Sequence, residues 1–549
     1  MNDLPRDPDR TLTRRRAVAI VAFFALNLIV YLIRIVSVWR YGSLFCPTAA
    51  ESPMIDSVWR LMNHRTLYPW PFAPPFSLTL YNYLFYRTYA TILGLIGAVD
   101  GGILTWGRQL TLLFALAGAL AQWRLVRRLL DLRGAASGLS LALAVGLWLC
   151  TSLIKYWALV IRPDMAAAAL VMIALWVVAR QPRFCFAYAG LLLYLAWAFK
   201  QSVVLTLVAL CLWLAWNKRW RNLALVASVF GVLVCVTLLL GTPEYRFSIL
   251  VAPRMVGGFS FGLKWILHTL GSGLTAVALN LFWVAAPFVL IKSNRSFILS
   301  EAQRSRRPRV LFGDEIVGDH KPLGAPSISR SPRNGWESTP LSSVELKSLL
   351  TVIFAFALIL GLAGMGKVGA TSNYLFEAFI AGSLLLQIAV FAVPGRLVTA
   401  LVLFGCVQPA VQIVGTAIGY HHQGKRDRVP IATAAEFAQA VALRDRLATM
   451  PKPIFTTDEA FQLPWISTDG APAFTFDPNF QDAARSRDQN GGVEGLLQRG
   501  EIPTVVLAPG DLVYLRALNP HYRIAGESNQ QGVPYTIYEF DPGAPTPSR

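Results

Sequence analysis

Apolar runs close to the length of a bilayer crossing recur along this chain, and that repetition limits its fold more than any other feature. A helix needs about 20 predominantly apolar residues to span the hydrocarbon core. The run at 17–38, AVAIVAFFALNLIVYLIRIVSV, meets that length. Similar runs follow at 105–123, 136–154, 165–180, 184–199, 202–216, 222–241, 272–291, 348–366, 375–394 and 397–419. Composition agrees, with 54% apolar and only 15% charged residues, against about 25% charged in an ordinary soluble domain. The chain therefore reads as an all-α polytopic membrane protein with about eleven transmembrane helices.

The net charge of +19 would suggest nucleic acid in a soluble protein. Its distribution argues otherwise. Lys and Arg cluster in every second short loop, as the positive-inside bias requires, and the region 421–549 carries more Asp and Glu than Lys and Arg. No nucleic-acid partner is expected; membrane lipids are. Five of the six cysteines lie in or beside apolar runs, leaving Cys46 in an external loop, so neither a disulfide framework nor a zinc spacing is present.

The same bias sets the topology. The polar N-terminus 1–16, MNDLPRDPDRTLTRRR, is expected in the cytoplasm, followed by an uncleaved first span, because no small-residue cleavage site ends the run. The next basic cluster, WRLVRRLLDLR at 123–133, is cytoplasmic only if a single span, 105–123, separates it from the first. Residues 40–104 then form one long external loop. Its Tyr-rich piece 78–98 reads as helix lying on the outer leaflet, with Tyr81, Tyr83, Tyr86 and Tyr89 as interface anchors. The membrane core extends over 17–291. The stretch 292–347, rich in Ser, Pro and Arg, reads as a disordered cytoplasmic linker, and 348–420 supplies the last three spans. An odd span count places 421–549 outside the cell membrane as a small α/β extracytoplasmic C-terminal domain. Its strands are PIFTTD, TVVLAP and YTIYEF; its helices are AEFAQAVALRDRLATM and VEGLLQRG.

A charged side chain in a bilayer core costs roughly 2.5–3.5 kcal/mol on insertion scales, so each one needs a reason. With this topology the inner ends of the spans hold basic residues and few acids. The outer ends hold Glu51, Asp56, Arg60, Lys155, Arg162, Asp164, Lys200, Gln201, Glu244, Arg246, Arg254, Lys264, Lys367, Asn373 and Glu377. Mixed signs and amides at one face point to a polar cavity near the outer headgroups. Individually these residues also fit plainer roles. Asp164 can cap the span it opens, Arg162 and Lys200 can snorkel to headgroups, and Glu51 can satisfy orphan amides at a helix start. Asn373 and Glu377, four apart on one helix face, are expected to face the bundle. His421-His422 reads as a span-end feature, and Asp458-Glu459 follows a strand where turn chemistry accounts for it as well as a ligand does.

One arrangement resembles a known superfamily. A basic N-terminus and one span lead into a long external loop with an early carboxylate, Glu51, then SVWRLMNHRT, Leu67-Tyr68-Pro69 and Ala73-Pro74-Pro75. This resembles the GT-C polytopic glycosyltransferases, such as protein O-mannosyltransferases and the lipid A aminoarabinose transferase. Arg162-Pro163-Asp164, Lys200 after a short span, and GATSNYLFE at 369–377 look like elements of uncharacterised bacterial members. The resemblance spans roughly 14–420. It implies transfer of a sugar from a polyprenyl-phosphate donor to an envelope glycan, lipid or protein acceptor on the periplasmic face of a bacterial inner membrane. It also implies an acidic general base or metal ligand in the first external loop. Where such members often carry an acidic pair, this chain has a lone Glu after Ala49-Ala50, so a divalent metal stays an open candidate and the metal site unknown.

A hydroxyl attacking an anomeric carbon needs a base for its proton and cations beside the leaving phosphate. Glu51 and Asp56 are the catalytic candidates. Glu51 is favoured because Asp56 and Arg60, four apart on a helix, would pair with each other. Arg162, Asp164, Lys200, Asn373 and Glu377 are the substrate-binding candidates. A transporter or lipid flippase would also explain a polar cavity, but predicts charges near the midplane and two similar halves, and no internal repeat is evident. A non-catalytic envelope-assembly scaffold, with the external domain binding a partner, is the third alternative.

Overall fold

A computed structural model of the protein describes residues 13–41, 51–150, 153–154, 157–180, 184–255, 271, 274–275, 277–292, 343–365, 372–417, 434–458, 461–474, 487–530 and 533–543. Nearly all of the expected linker 292–347 lies outside the described residues, as do Cys46, Lys155, Lys264, Lys367, His421, His422 and Glu459.

The apolar runs fold as helices, since only intrahelical bonding satisfies backbone groups in hydrocarbon. In chain order they are α1 (Arg14–Tyr41), α2 (Glu51–Met62), α3 (Tyr83–Leu95), α4 (Gly101–Leu129), α5 (Gly134–Cys150), α6 (Asp164–Arg180), α7 (Cys185–Phe199), α8 (Leu205–Trp216), α9 (Trp220–Leu240), α10 (Ser343–Gly364), α11 (Phe376–Ala392) and α12 (Arg396–Ala417). Among the described residues, six stretches are long and apolar enough to cross a membrane: Arg14–Val36, Gly101–Leu129, Trp220–Leu240, Val344–Gly364, Asn373–Ala392 and Arg396–Val414. Apolar helices within Gly134–Leu149, Cys185–Phe199, Leu205–Trp216 and Leu281–Lys292 are shorter. The fold is thus mostly helical and polytopic, as expected; the figure of about eleven crossings rests on the sequence pattern.

Helix α11 is the hub. It is buried along nearly its whole length, whereas α9 is exposed along most of its surface. One chain of polar side chains inside the bundle is paired throughout, as burial favours. Gln122 of α4 donates to Gln387 Oε1 of α11 at 2.9 Å, and its own Oε1 accepts from Trp148 of α5 at 2.8 Å and from Ser383 at 3.0 Å. Gln387 in turn donates to the carbonyl and hydroxyl of Ser140 at 2.6 and 2.7 Å. At the expected cytoplasmic end, Arg16 donates to the carbonyls of Val390 and Gly395 at 2.7 and 3.0 Å. A cation there complements the negative end of the α11 dipole.

Two of the expected interface anchors in segment 78–98 are core residues instead. One face of helix α3 packs into the protein: Tyr86 and Tyr89 are fully buried, and the Tyr89 hydroxyl pairs with Thr111 Oγ1 of α4 at 2.7 Å. The reason is that each buried hydroxyl finds a partner inside the bundle, which makes burial favourable for a ring of that size.

The C-terminal region carries α13 (Ala434–Ala448), α14 (Gly492–Arg499) and α15 (Leu512–Ala517), with strands β1 (Ile454–Thr456), β2 (Thr504–Leu507), β3 (Tyr522–Gln530) and β4 (Val533–Phe540). The sheet order is β1-β2-β4-β3; β1 and β2 run parallel, and β4 is antiparallel to both neighbours. Three strands and two helices match the sequence reading. Strand β3 and helix α15 are additions, because YRIAGESNQ has a weak alternation that only its hairpin partner stabilises.

Helices α4 and α5 approach closely at Gly118. A Cβ placed there would lie 2.2 Å from the Trp148 indole. Gly118→Ala should force that ring away from Gln122 and cost about 1–3 kcal/mol, read as a lower unfolding midpoint of the detergent-solubilised protein.

Candidate functional site

Three helices begin at one recess. Asp164 opens α6, Leu205 opens α8 and Phe376 opens α11, and all three line one small recess together with Lys200, Ser202, Asn373, Tyr374 and Glu377. The sequence dictates each start. Pro163 cannot continue a helix backwards through Asp164, and the turn Lys200–Val204 separates two runs too short to form one long span. Each helix N-terminus carries roughly half a positive charge, so the recess collects a positive field before any side chain is counted.

Asp164 is the centre of the side-chain arrangement. Its side chain has no exposed surface, and it forms ion pairs with Lys200 and, at 3.3 Å, with Arg162. Asn373 Nδ2 donates to its Oδ1 at 3.2 Å. Arg162 is not on the cavity wall. It stands behind Asp164, its guanidinium 4.3 Å from the Trp157 ring centroid, and it donates to the Tyr81 hydroxyl. Burial, the largest cause, pushes the Tyr81 hydroxyl up to about 12, so it accepts from Arg162 as a neutral phenol. Glu377 borders the recess but is engaged: its carboxylate accepts from the amides of Leu205 at 3.1 Å and Thr206 at 2.6 Å, capping α8 from another helix.

The structure thus brings Asp164, Lys200, Asn373 and Glu377 onto one cavity and sets Arg162 immediately behind it. Glu51 and Asp56 lie elsewhere. Glu51 is fully buried; Arg108 of α4 grips it through Nε at 3.1 Å and Nη2 at 2.8 Å, and the Ile161 amide donates to Oε1 at 2.8 Å. Asp56 is also fully buried. Arg60 Nε lies 2.8 Å from it, the Ala473 amide of the C-terminal domain donates at 3.1 Å and Ser77 at 3.4 Å. Burial raises the Asp56 carboxyl above its ordinary value, opposed by Arg60, the Ala473 amide and Ser77. Glu244 and Arg254 are not among the cavity-lining residues.

The sequence reading passes over Arg108 and Tyr374, and takes Tyr81 for an interface anchor. Arg108 had a signal, a lone cation inside an apolar run, which calls for a buried partner. Tyr81 and Tyr374 had none, since nothing local distinguishes them from interface tyrosines. Among the described residues no group of three His, Cys, Asp or Glu side chains is arranged to hold a metal ion. The donor set does not favour one either. Glu51, Asp56 and Asp164 are each already neutralised by a cation of the chain.

No family model matches the sequence, and no curated protein matches it. Among solved structures, ArnT from Cupriavidus metallidurans bound to undecaprenyl phosphate aligns over 96% of this chain and 99% of its own, with a TM-score of 0.52 and 12% identity. ArnT from the same organism in the apo state aligns over 94% and 97%, with a TM-score of 0.41 and 15% identity. The undecaprenyl-phosphate-bound structure shows that the chain shares its fold with ArnT.

Removing one partner of a buried ion pair strands the other charge, at about 3–5 kcal/mol. Glu51→Ala should therefore lower thermal stability sharply by removing the carboxylate that Arg108 grips. Glu51→Gln combined with Arg108→Gln should recover most of the loss, measured by unfolding of the purified membrane protein.

Proposed function

We propose that this chain is a membrane glycosyltransferase that moves a hexose or pentose from a polyprenyl-phosphate donor to an envelope glycan, lipid or protein. The observation that carries the reading is the convergence of three helix N-termini and Lys200 around the buried Asp164. Anions bind where helix amides and cations converge, and a prenyl phosphate presents its charge at the membrane surface. The ArnT neighbour in this fold binds undecaprenyl phosphate, which supports a lipid phosphate as the ligand here. The face is assigned as periplasmic in a bacterial inner membrane, with the N-terminus cytoplasmic, from the distribution of Lys and Arg.

In this reading Lys200 stabilises charge on the leaving phosphate as the anomeric bond breaks. Asp164, the carboxylate that borders the recess and is not committed to helix amides, receives the proton of the attacking acceptor hydroxyl. Arg162 holds Asp164 from behind, and Asn373 fixes its other edge. Glu51 is given a structural role in place of the general-base role expected from the first-loop pattern, because both its oxygens are engaged away from the recess. Asp56 likewise joins two parts of the fold. No step is routed through a metal ion.

Two substitutions separate these roles. Asp164→Asn should lower turnover about 10²-fold or more, the usual range for a lost general base, while undecaprenyl phosphate is still bound. Lys200→Met should weaken that lipid's binding. Sugar transfer from a panel of polyprenyl-phosphate donors, with titration of undecaprenyl phosphate into the same preparations, measures both. Wild-type turnover in Asp164→Asn sinks the base assignment. Undiminished lipid binding in Lys200→Met sinks the phosphate site.

A further inference from the structure

Residues 76–82 join the C-terminal domain to the recess. At one end Phe76, in a left-handed turn at φ 56°, is 1% exposed and belongs to the core of the C-terminal domain with Phe455, Phe474 and Val493. At the other end Tyr81 holds Arg162, which holds Asp164. Four residues lie between the two ends, so the five steps span at most about 18 Å of chain.

The segment between them has no helix or strand, yet it is tied at nearly every position. Ser77 donates to Asp56. Thr79 donates to the Leu67 carbonyl at 2.6 Å and lies 3.3 Å from the Ser57 hydroxyl. The Leu80 carbonyl accepts from Gln201 at 2.8 Å, beside Lys200. The Tyr81 carbonyl accepts from Tyr68 at 2.8 Å, and Asn82 reaches the Trp197 carbonyl at 2.6 Å.

The C-terminal domain grips the first loop around this segment. Beyond the Phe76 plug, the Ala473 amide donates to Asp56, Arg65 donates to the Gly470 carbonyl at 2.6 Å, and the Gln489 amide donates to the Phe72 carbonyl at 2.8 Å. An isolated partner-binding module would not place its core against the loop that carries Tyr81.

We propose that the C-terminal domain is a working part of the site: through residues 76–82 it sets Tyr81, and thereby Arg162 and Asp164, with Phe76 and Asp56 as positioning residues. This rests on the transferase reading only for the ligand. A recess held in advance binds more tightly than one that must order itself, so releasing the plug should weaken lipid-phosphate binding through Tyr81 and by no other route.

The test uses the full-length protein in nanodiscs, with undecaprenyl phosphate as probe. Hydrogen exchange is followed at residues 77–82, including the Tyr81 amide, which donates to the Tyr86 hydroxyl at 3.3 Å. Phe76→Ala should raise exchange there about tenfold and weaken lipid binding about tenfold. Phe76→Leu, which keeps an apolar plug, should behave as wild type. Tyr81→Phe should weaken binding similarly, and the double variant should lose little more than either single one, since groups acting through one chain of contacts are not additive. Unchanged exchange at 77–82 in Phe76→Ala overturns the proposal, as do wild-type affinity in that variant or additive losses in the double one. If wild-type protein does not bind undecaprenyl phosphate, the transferase reading fails, and the exchange measurement alone decides whether the segment is held by the C-terminal domain.

Discussion

A carboxylate with no contact to water has to be paired, and the pairing of Asp164 organises the end of the bundle that holds the recess. Its partners come from four places in the chain: Arg162 just before α6, Lys200 in the turn between α7 and α8, Asn373 ahead of α11, and, through Arg162, Tyr81 in the first loop. Desolvating an ion costs several kcal/mol unless its partners are well placed. The helices that carry those partners therefore have little freedom to separate. The same convergence brings three helix N-termini together, so the electrostatics of the recess follow from the packing that Asp164 requires.

Glu377 and Arg16 act by the same principle at the two ends of α11. One is an acid at the positive start of a neighbouring helix, and the other is a base at the negative end of α11 itself. Neither needs a ligand to explain its burial. Glu377 borders the cavity too, but its carboxylate is committed to the amides of α8, whereas Lys200 and Asp164 face the cavity and pair with each other. The distinction between charges committed to helix ends and charges paired across open space is what gives the site a boundary.

Much of this was legible before the fold was known. Apolar runs located the helices because hydrocarbon leaves the backbone no other solution. The expense of intramembrane charge picked out fifteen residues, and the structure gathers four of them, Asp164, Lys200, Asn373 and Glu377, on one cavity. What was not legible depended on distant partners. Glu51 reads as a base in isolation, and only Arg108, in a different helix, shows what holds both its oxygens. Asp56 pairs with Arg60 as its spacing implies, but its bond to Ala473 crosses more than four hundred residues. The tyrosines of segment 78–98 look like interface anchors until α4 supplies a hydroxyl for Tyr89. Local pattern thus finds which residues are costly, while three-dimensional packing decides which of them are spent on holding the structure.

The most direct test is to locate the phosphate. Cryo-electron microscopy of the protein in nanodiscs loaded with undecaprenyl phosphate would place the headgroup relative to the recess. The account predicts phosphate density within hydrogen-bonding reach of Lys200 Nζ, beside Asp164 and the amino end of α8. Headgroup density confined to another surface, with the Lys200–Asp164 pair undisturbed and the recess empty, would contradict it.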